Sequence, residues 1–166
     1  MLTLRPDHCF DSILHISFDF LKRHDLRGLA LDLDNTLAPY KQSRVMPAVA
    51  AWIANLKRQG IGLAVLSNAR KERVAAFCAP LGLPYVSKAG KPGIGGFRRV
   101  SKLLRLEPEQ IGMVGDQLFT DMLGARRGGF SAIFVKPLNL KNPFYRLRHM
   151  VETPFLKKTP DADNEP

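Results

Sequence analysis

The chain has 166 residues, 45% of them hydrophobic and 24% charged, the balance of one soluble globular domain rather than of a disordered chain, and long enough to bury a core without staples. Two cysteines, Cys9 and Cys78, are too few for a disulfide framework or a zinc site, so both are expected to be buried thiols in a reducing compartment. No run approaches the roughly 18 uninterrupted apolar residues of a membrane span, and the start of the chain carries Asp11, His15 and Asp19, unlike a secretory or transit peptide; the cytoplasm is the expected location.

Charge is the oddity. The formal net charge is +10, and residues 51–100 hold nine bases against Glu72 alone, with eight bases against four acids over 101–150. Such an excess is either a solvated face or a footprint for a polyanion, nucleic acid or an anionic lipid leaflet.

In chain order, Phe10, Ile13, Leu14, Phe18 and Leu21 fall at helical spacing and predict an amino-terminal amphipathic helix. Leu29 to Leu33 is a short buried-strand run ending in Asp32, Asp34 and Asn35. Pro47 opens a helix that Gly60 stops; Ile61 to Leu66 is a second strand; Ser67 and Asn68 are expected to cap a helix over Lys71 to Pro80. A strand at Pro84 to Ser87, a helix from Pro92 to Leu106, a strand at Ile111 to Val114, a helix from Leu118 to Arg127 and a strand at Ser131 to Val135 complete the alternation. Asn142 to Phe155 reads as a basic amphipathic segment and 157–166 as a disordered tail. The pattern predicts one domain over 1–156 of α/β class, a three-layer Rossmann-like parallel sheet flanked by helices.

Open sheets of this class bind ligands beyond the carboxyl ends of their strands. Collected there are Asp32, Asp34, Asn35 and Thr36; Ser67 and Asn68; Lys91; and Gly115, Asp116 and, five residues on, Asp121. Converging carboxylates repel unless a cation sits among them, and an oxygen-rich cluster suits Mg²⁺. Asp32 and Asp34, two apart, would share one side of a regular strand, leaving one to attack while the other handles protons. Ser67 and Lys91 offer the hydroxyl and fixed charge that phosphoryl oxygens need.

Asp32-Leu-Asp-Asn-Thr36, Ser67-Asn68, Lys91-Pro92 and Gly115-Asp116-x-x-x-x-Asp121 resemble, in order, the four motifs of the haloacid dehalogenase (HAD) phosphatases. Among these the pattern is most similar to subfamily IIIA and its YqeG-like group, related to mitochondrial enzymes that dephosphorylate phosphatidylglycerophosphate. The resemblance, over about residues 5 to 140, implies Asp32 as nucleophile and Asp34 as the acid and base. It implies Ser67, Asn68 and Lys91 around the phosphoryl; Mg²⁺ on Asp32, the Asp34 carbonyl and Asp116; and Asp121 and Thr36 in support. Asn35 departs from the glycine common at its position, an exchange asparagine tolerates. Bland readings stand beside these roles: Thr36 and Asn68 as caps, Asp121 as a solvated first-turn acid, and Arg70, Lys71, Arg73, Arg126 and Arg127 as solvated helix charges rather than a grip on an anionic headgroup. Ala89 to Gly96 resembles a phosphate-cradling loop but lacks the lysine-serine pair of a nucleotide P-loop, and is expected to position Lys91.

The gaps between Asp34 and Ser67 and between Ser67 and Lys91, 33 and 24 positions, are filled by predicted core elements. The HAD-like core should therefore lack a cap domain, leaving only a flap around Pro39 to Arg44. An open site suits a large phosphate ester, and a phospholipid headgroup fits best with the basic charge. The expected partners are thus such a substrate and, peripherally, an anionic membrane surface. A soluble sugar or nucleoside phosphate or a nucleic-acid end is the alternative substrate, and a basic RNA-binding or ribosome-binding module with a vestigial site the alternative of another class.

Overall fold

The computed structural model describes residues 4–139 together with Met150, Val151 and Pro154. Six strands form one parallel sheet: β1 (His8–Phe10), β2 (Gly28–Leu31), β3 (Gly62–Leu66), β4 (Tyr85–Val86), β5 (Ile111–Gly115) and β6 (Ser131–Val135). They lie in the order β1-β6-β5-β2-β3-β4. Helices α1 (Phe18–Arg23), α2 (Pro47–Arg58), α3 (Lys71–Cys78), α4 (Ile94–Leu104) and α5 (Leu123–Gly128) supply the outer layers.

Alternation along the strands explains the layers, because successive side chains point to opposite faces. Leu29, Leu31, Leu63, Val65, Val114 and Ile133 join a core with Val49, Trp52, Ile53 and Leu56 of α2 and Val74 and Phe77 of α3. Ala30, Ala64, Met113 and Ala132 join a second core with Phe97 and Val100 of α4 and Ala125 of α5. The small alanines let α4 and α5 approach closely, and Gly124 permits it too: a Cβ there would meet the Phe97 ring at 2.6 Å.

The amino terminus departs from the expected helix. His8, Cys9 and Phe10 instead extend the sheet edge, paired with Ile133, Phe134 and Val135. Ser12 then caps a 3-10 turn over Ile13–His15, and Ser17 caps α1 with its hydroxyl accepting from the Phe20 amide at 3.1 Å. Two hydroxyl caps five residues apart cut the apolar periodicity into separate elements. Leu14, counted on the apolar face, is exposed, whereas Phe20 is buried edge-on against Phe10 at 4.9 Å between centroids. The segment packs on its own domain: the indole of the buried Trp52 donates to the Ile16 carbonyl at 2.9 Å. The Cys78 thiol is buried as expected, which pushes its pKa up to about 12, while Cys9 is only half-buried.

Between Asp34 and Ser67 lie α2 and β3, and between Ser67 and Lys91 lie α3 and β4, so neither gap holds an inserted domain. The Leu118–Arg127 helix is really a π-helical turn, Leu118–Met122, continuing into α5. Arg126 forks between Asp7 at 2.6 Å and the Arg5 carbonyl at 3.0 Å, tying α5 to the lead-in of β1. The basic segment expected over 142–155 is, apart from three residues, outside the described part of the chain, as is the tail 157–166.

Candidate active site

The chain leaves β2 toward β3 on one side and returns to β5 on the other, so the carboxyl end of β2 is the switch point where a ligand crevice opens. Asp32 continues the ladder one residue past β2, its amide donating to the Val114 carbonyl at 2.9 Å. A tight turn follows, closed by Thr36, Leu37 and Ala38 amides on the Leu33 carbonyl. Asn35 sits in it at φ 59°, the left-handed region that asparagine enters more readily than most residues, and its side-chain oxygen accepts from the Tyr40 amide. The turn also alters the expected geometry of the two acids. The regular strand ends at Leu31; the Asp32 carboxylate is buried toward Lys91, and Asp34 accepts instead from Arg73.

Lys91 occupies the centre. Its ammonium donates to Asp32 Oδ1 at 2.7 Å, Asp121 Oδ1 at 2.7 Å and the Leu66 carbonyl at 2.9 Å, and its side chain is only 2% exposed. An ammonium has three protons, so in this state none is left over for a phosphoryl oxygen; Lys91 offers its charge, fixed against Asp32. Asn68 neither caps α3 nor lies idle. Its amide reads both edges of the Lys91 peptide, accepting from the Lys91 amide at 2.9 Å and donating to the Lys91 carbonyl at 3.2 Å. Arg70 is the N-cap residue of α3, without a side-chain cap, and Ser67 Oγ accepts from the Ala69 amide at 3.1 Å. Asn68 thereby holds the Lys91 backbone within the loop from Ala89 to Gly96.

Asp121 is fully buried, not solvated, because the π-turn directs it inward: Oδ1 meets Lys91, and Oδ2 accepts from the Gln117 amide at 3.2 Å. Gly115 makes room for it. A Cβ there would lie 2.2 Å from Asp121 Oδ2, so Gly115→Ala is expected to cost about 1–3 kcal/mol as overpacking and, by displacing the partner of Lys91, to lower kcat in protein still folded by urea titration. Retained kcat would show that Asp121 does not set the lysine.

Asp32, Asp116 and Asp121 are all buried, with one carboxylate oxygen of each lying within 4.8 Å of the others. Thr36 approaches Asp116 at 3.4 Å, a long contact. Burial first, then the charge of Asp121, pushes the Asp32 pKa up to about 7 despite Lys91. Burial and the neighbouring Asp32 and Asp121 likewise raise Asp116 well above the usual carboxylate range. Burial alone would lower the Lys91 ammonium, but Asp121 and Asp32 outweigh it and hold it above its ordinary value. Three buried acids against one ammonium leave negative charge uncompensated, and the hard oxygen donors fit a divalent cation. Asp121 is near enough to be a ligand, yet both its oxygens already accept from other donors; Asp32 and Asp116 are freer to take an ion.

A cavity of about 570 Å³ opens above these groups, lined by Asp32, Asp34, Ser67, Lys91, Arg70 and Arg73 among others. Arg73 is the residue that sequence reasoning undervalued: it is neither solvated nor free to grip a headgroup, being forked onto Asp34. Its hydrogen bonds to Asp34 raise its own pKa further.

A family model for haloacid dehalogenase-like hydrolases matches residues 17–129, which include every one of these positions. The chain belongs to the haloacid dehalogenase-like hydrolases. Within this family it is 36% identical over 152 residues to a protein named probable phosphatase YqeG in Bacillus subtilis (strain 168), covering 91% of this chain and 88% of the relative. It is 32% identical over 143 residues to phosphatidylglycerophosphate phosphatase 1, chloroplastic, of Chlamydomonas reinhardtii, where 80% of this chain matches 53% of the relative; the chain spans about half that algal protein. The fold matches the cobalt-bound deoxy-D-mannose-octulosonate 8-phosphate phosphatase of Haemophilus influenzae with a TM-score of 0.56 at 16% identity, over 80% of this chain and 90% of that one. This HAD hydrolase is a phosphatase by family and relatives, its sheet is that of the HAD phosphatases, and among its described residues no helix is long and apolar enough to cross a membrane.

Proposed function

We propose that this phosphatase is a Mg²⁺-dependent phosphomonoesterase that works through an aspartyl-phosphate on Asp32 and dephosphorylates phosphatidylglycerophosphate to phosphatidylglycerol. The observation that carries the chemistry is the buried ammonium of Lys91 against Asp32 at the end of the central strand, at 2.7 Å. An Asp32 oxygen attacks phosphorus, the bond from phosphorus to the ester oxygen breaks, and that oxygen takes a proton from Asp34. Asp34 then removes a proton from water, which attacks the aspartyl-phosphate; the bond from Asp32 to phosphorus breaks and inorganic phosphate leaves. The Ser67 hydroxyl holds a phosphoryl oxygen, while Lys91 lowers the repulsion between Asp32 and the incoming dianion. Asn68 acts through Lys91, whose loop it holds; Asp121 orients the ammonium, and Thr36 supports Asp116. Asp32, Asp116 and the Asp34 carbonyl would hold Mg²⁺, which would supply charge neutralisation for the phosphoryl oxygens.

The lipid substrate is favoured by the uncapped crevice, by the basic rim that includes Lys41 and Arg70, and by the algal relative that bears that activity in its name. The same basic charge favours peripheral contact with an anionic membrane. The test compares kcat/KM for phosphatidylglycerophosphate in mixed micelles with that for a panel of soluble sugar, nucleoside and polynucleotide phosphates. Turnover should stop with chelator, return with Mg²⁺, and favour the lipid by about tenfold or more, a difference of about 1.4 kcal/mol in transition-state binding. Preference for a soluble ester would overturn the lipid assignment. Salt-sensitive RNA binding with no magnesium-dependent phosphate release would overturn the catalytic one.

A further inference from the structure

Arg73 makes a two-pronged contact with Asp34: Nη1 donates to Oδ2 at 2.8 Å and Nη2 to Oδ1 at 2.5 Å. The Lys41 amide adds a third donor to Oδ1 at 3.1 Å. Arg73 Nη2 also donates to the Gln42 carbonyl at 3.1 Å, so one guanidinium joins α3, the Asp34 carboxylate and the flap at residues 39–44. The pair is largely covered, with side chains 20% and 16% exposed, and Arg73 Nε is buried without a hydrogen-bond partner. A two-pronged contact of this kind fixes both the distance and the plane of the carboxylate it meets.

We propose that Arg73 is a positioning residue for Asp34, setting the carboxylate that serves the ester oxygen and coupling it to the flap over the crevice. The inference rests on the reading of Asp34 as the proton carrier. Without Arg73 the Lys41 amide is the remaining donor to that carboxylate among the hydrogen bonds described, and Asp34 can rotate away from the leaving oxygen. Misplacing a reacting group by about 1 Å can cost roughly 100-fold.

The test uses two esters of unequal need. The glycerol of an alkyl phosphate such as glycerol 3-phosphate would leave as an alkoxide and requires the proton; the p-nitrophenolate released from p-nitrophenyl phosphate is a stable anion and does not. In single-turnover cleavage with Mg²⁺, Arg73→Ala should slow the alkyl ester by about 10- to 100-fold and leave the nitrophenyl ester nearly unchanged. On an Asp34→Asn background the same substitution should add little, since the group it positions is already disabled. Arg73→Lys, which keeps charge but not the fork, should recover part of the rate, and it carries the comparison should the alanine variant not fold. Independently of activity, trypsin should cut faster after Lys41 or Arg44 in Arg73→Ala. Equal slowing of both esters, an effect confined to KM, or a loss that multiplies with Asp34→Asn would overturn the role of Arg73 while leaving Asp34 as proton carrier. Full alkyl-ester cleavage by Asp34→Asn would overturn both readings.

Discussion

Asp32→Asn should release no measurable phosphate, a loss on the order of 10⁴-fold or more in kcat, as for other covalent nucleophiles, while the protein remains folded. The amide has the carboxylate's shape, and its oxygen can still accept from Lys91, so packing around this buried position is preserved. It lacks the anionic oxygen that must bond to phosphorus. Stability carries a second, independent sign. Burial and Asp121 hold Asp32 near pH 7 instead of 3.8, so at pH 8 the native carboxylate is ionised at a cost that the neutral amide avoids. The thermal midpoint of Asp32→Asn in chelator at pH 8 should accordingly match or exceed that of the parent. Phosphate release measured with Mg²⁺ and thermal unfolding measured without it decide the matter; appreciable turnover would remove Asp32 from the nucleophile's role.

Lys91→Met should be damaging twice. It removes the counter-charge that, among the described residues, Asp32 and Asp121 share, and breaking a buried pair from one side costs about 3–5 kcal/mol. The pH dependence follows from the raised Asp32. Between about pH 4 and 7 the folded chain holds a proton that the unfolded chain has released, so stability declines as pH rises through that window. Deleting the ammonium raises Asp32 still further and widens the window. The variant should thus lose more at pH 8 than at pH 5 in urea titrations with chelator, and Mg²⁺ should restore part of the loss at pH 8. Equal loss at both pH values would mean the lysine acts through packing alone. Phosphatase activity should fall on the order of 10³-fold, since a fixed, buried charge beside the nucleophile is being removed.

These expectations concern residues whose types and order were legible along the chain, because the chemistry demands acids and a lysine at strand ends and each such end is marked by an abrupt change from apolar to polar residues. Leu29 to Leu31 before Asp32, and Val114 and Gly115 before Asp116, announce themselves in this way. The edge strand did not. Three residues, His8–Phe10, carry too short a pattern to compete with the helical spacing of Phe10, Ile13 and Phe18, and only pairing with β6 makes them a strand. The π-turn was equally hidden, since Leu118 to Arg127 has an ordinary helical pattern and the extra residue per turn appears only where Asp121 must reach Lys91.

What the linear order determined by itself is the class of fold, the set of chemical groups at the crevice and the absence of room for an inserted lid, all properties of local periodicity and spacing. What tertiary structure alone decided is who meets whom: Lys91 with Asp32 and Asp121, Asn68 with the Lys91 peptide, and Arg73 with Asp34 across 39 positions. A charged side chain reads the same in sequence whether water or a buried carboxylate surrounds it; the difference is a desolvation energy, which exists only once the chain has closed around the group.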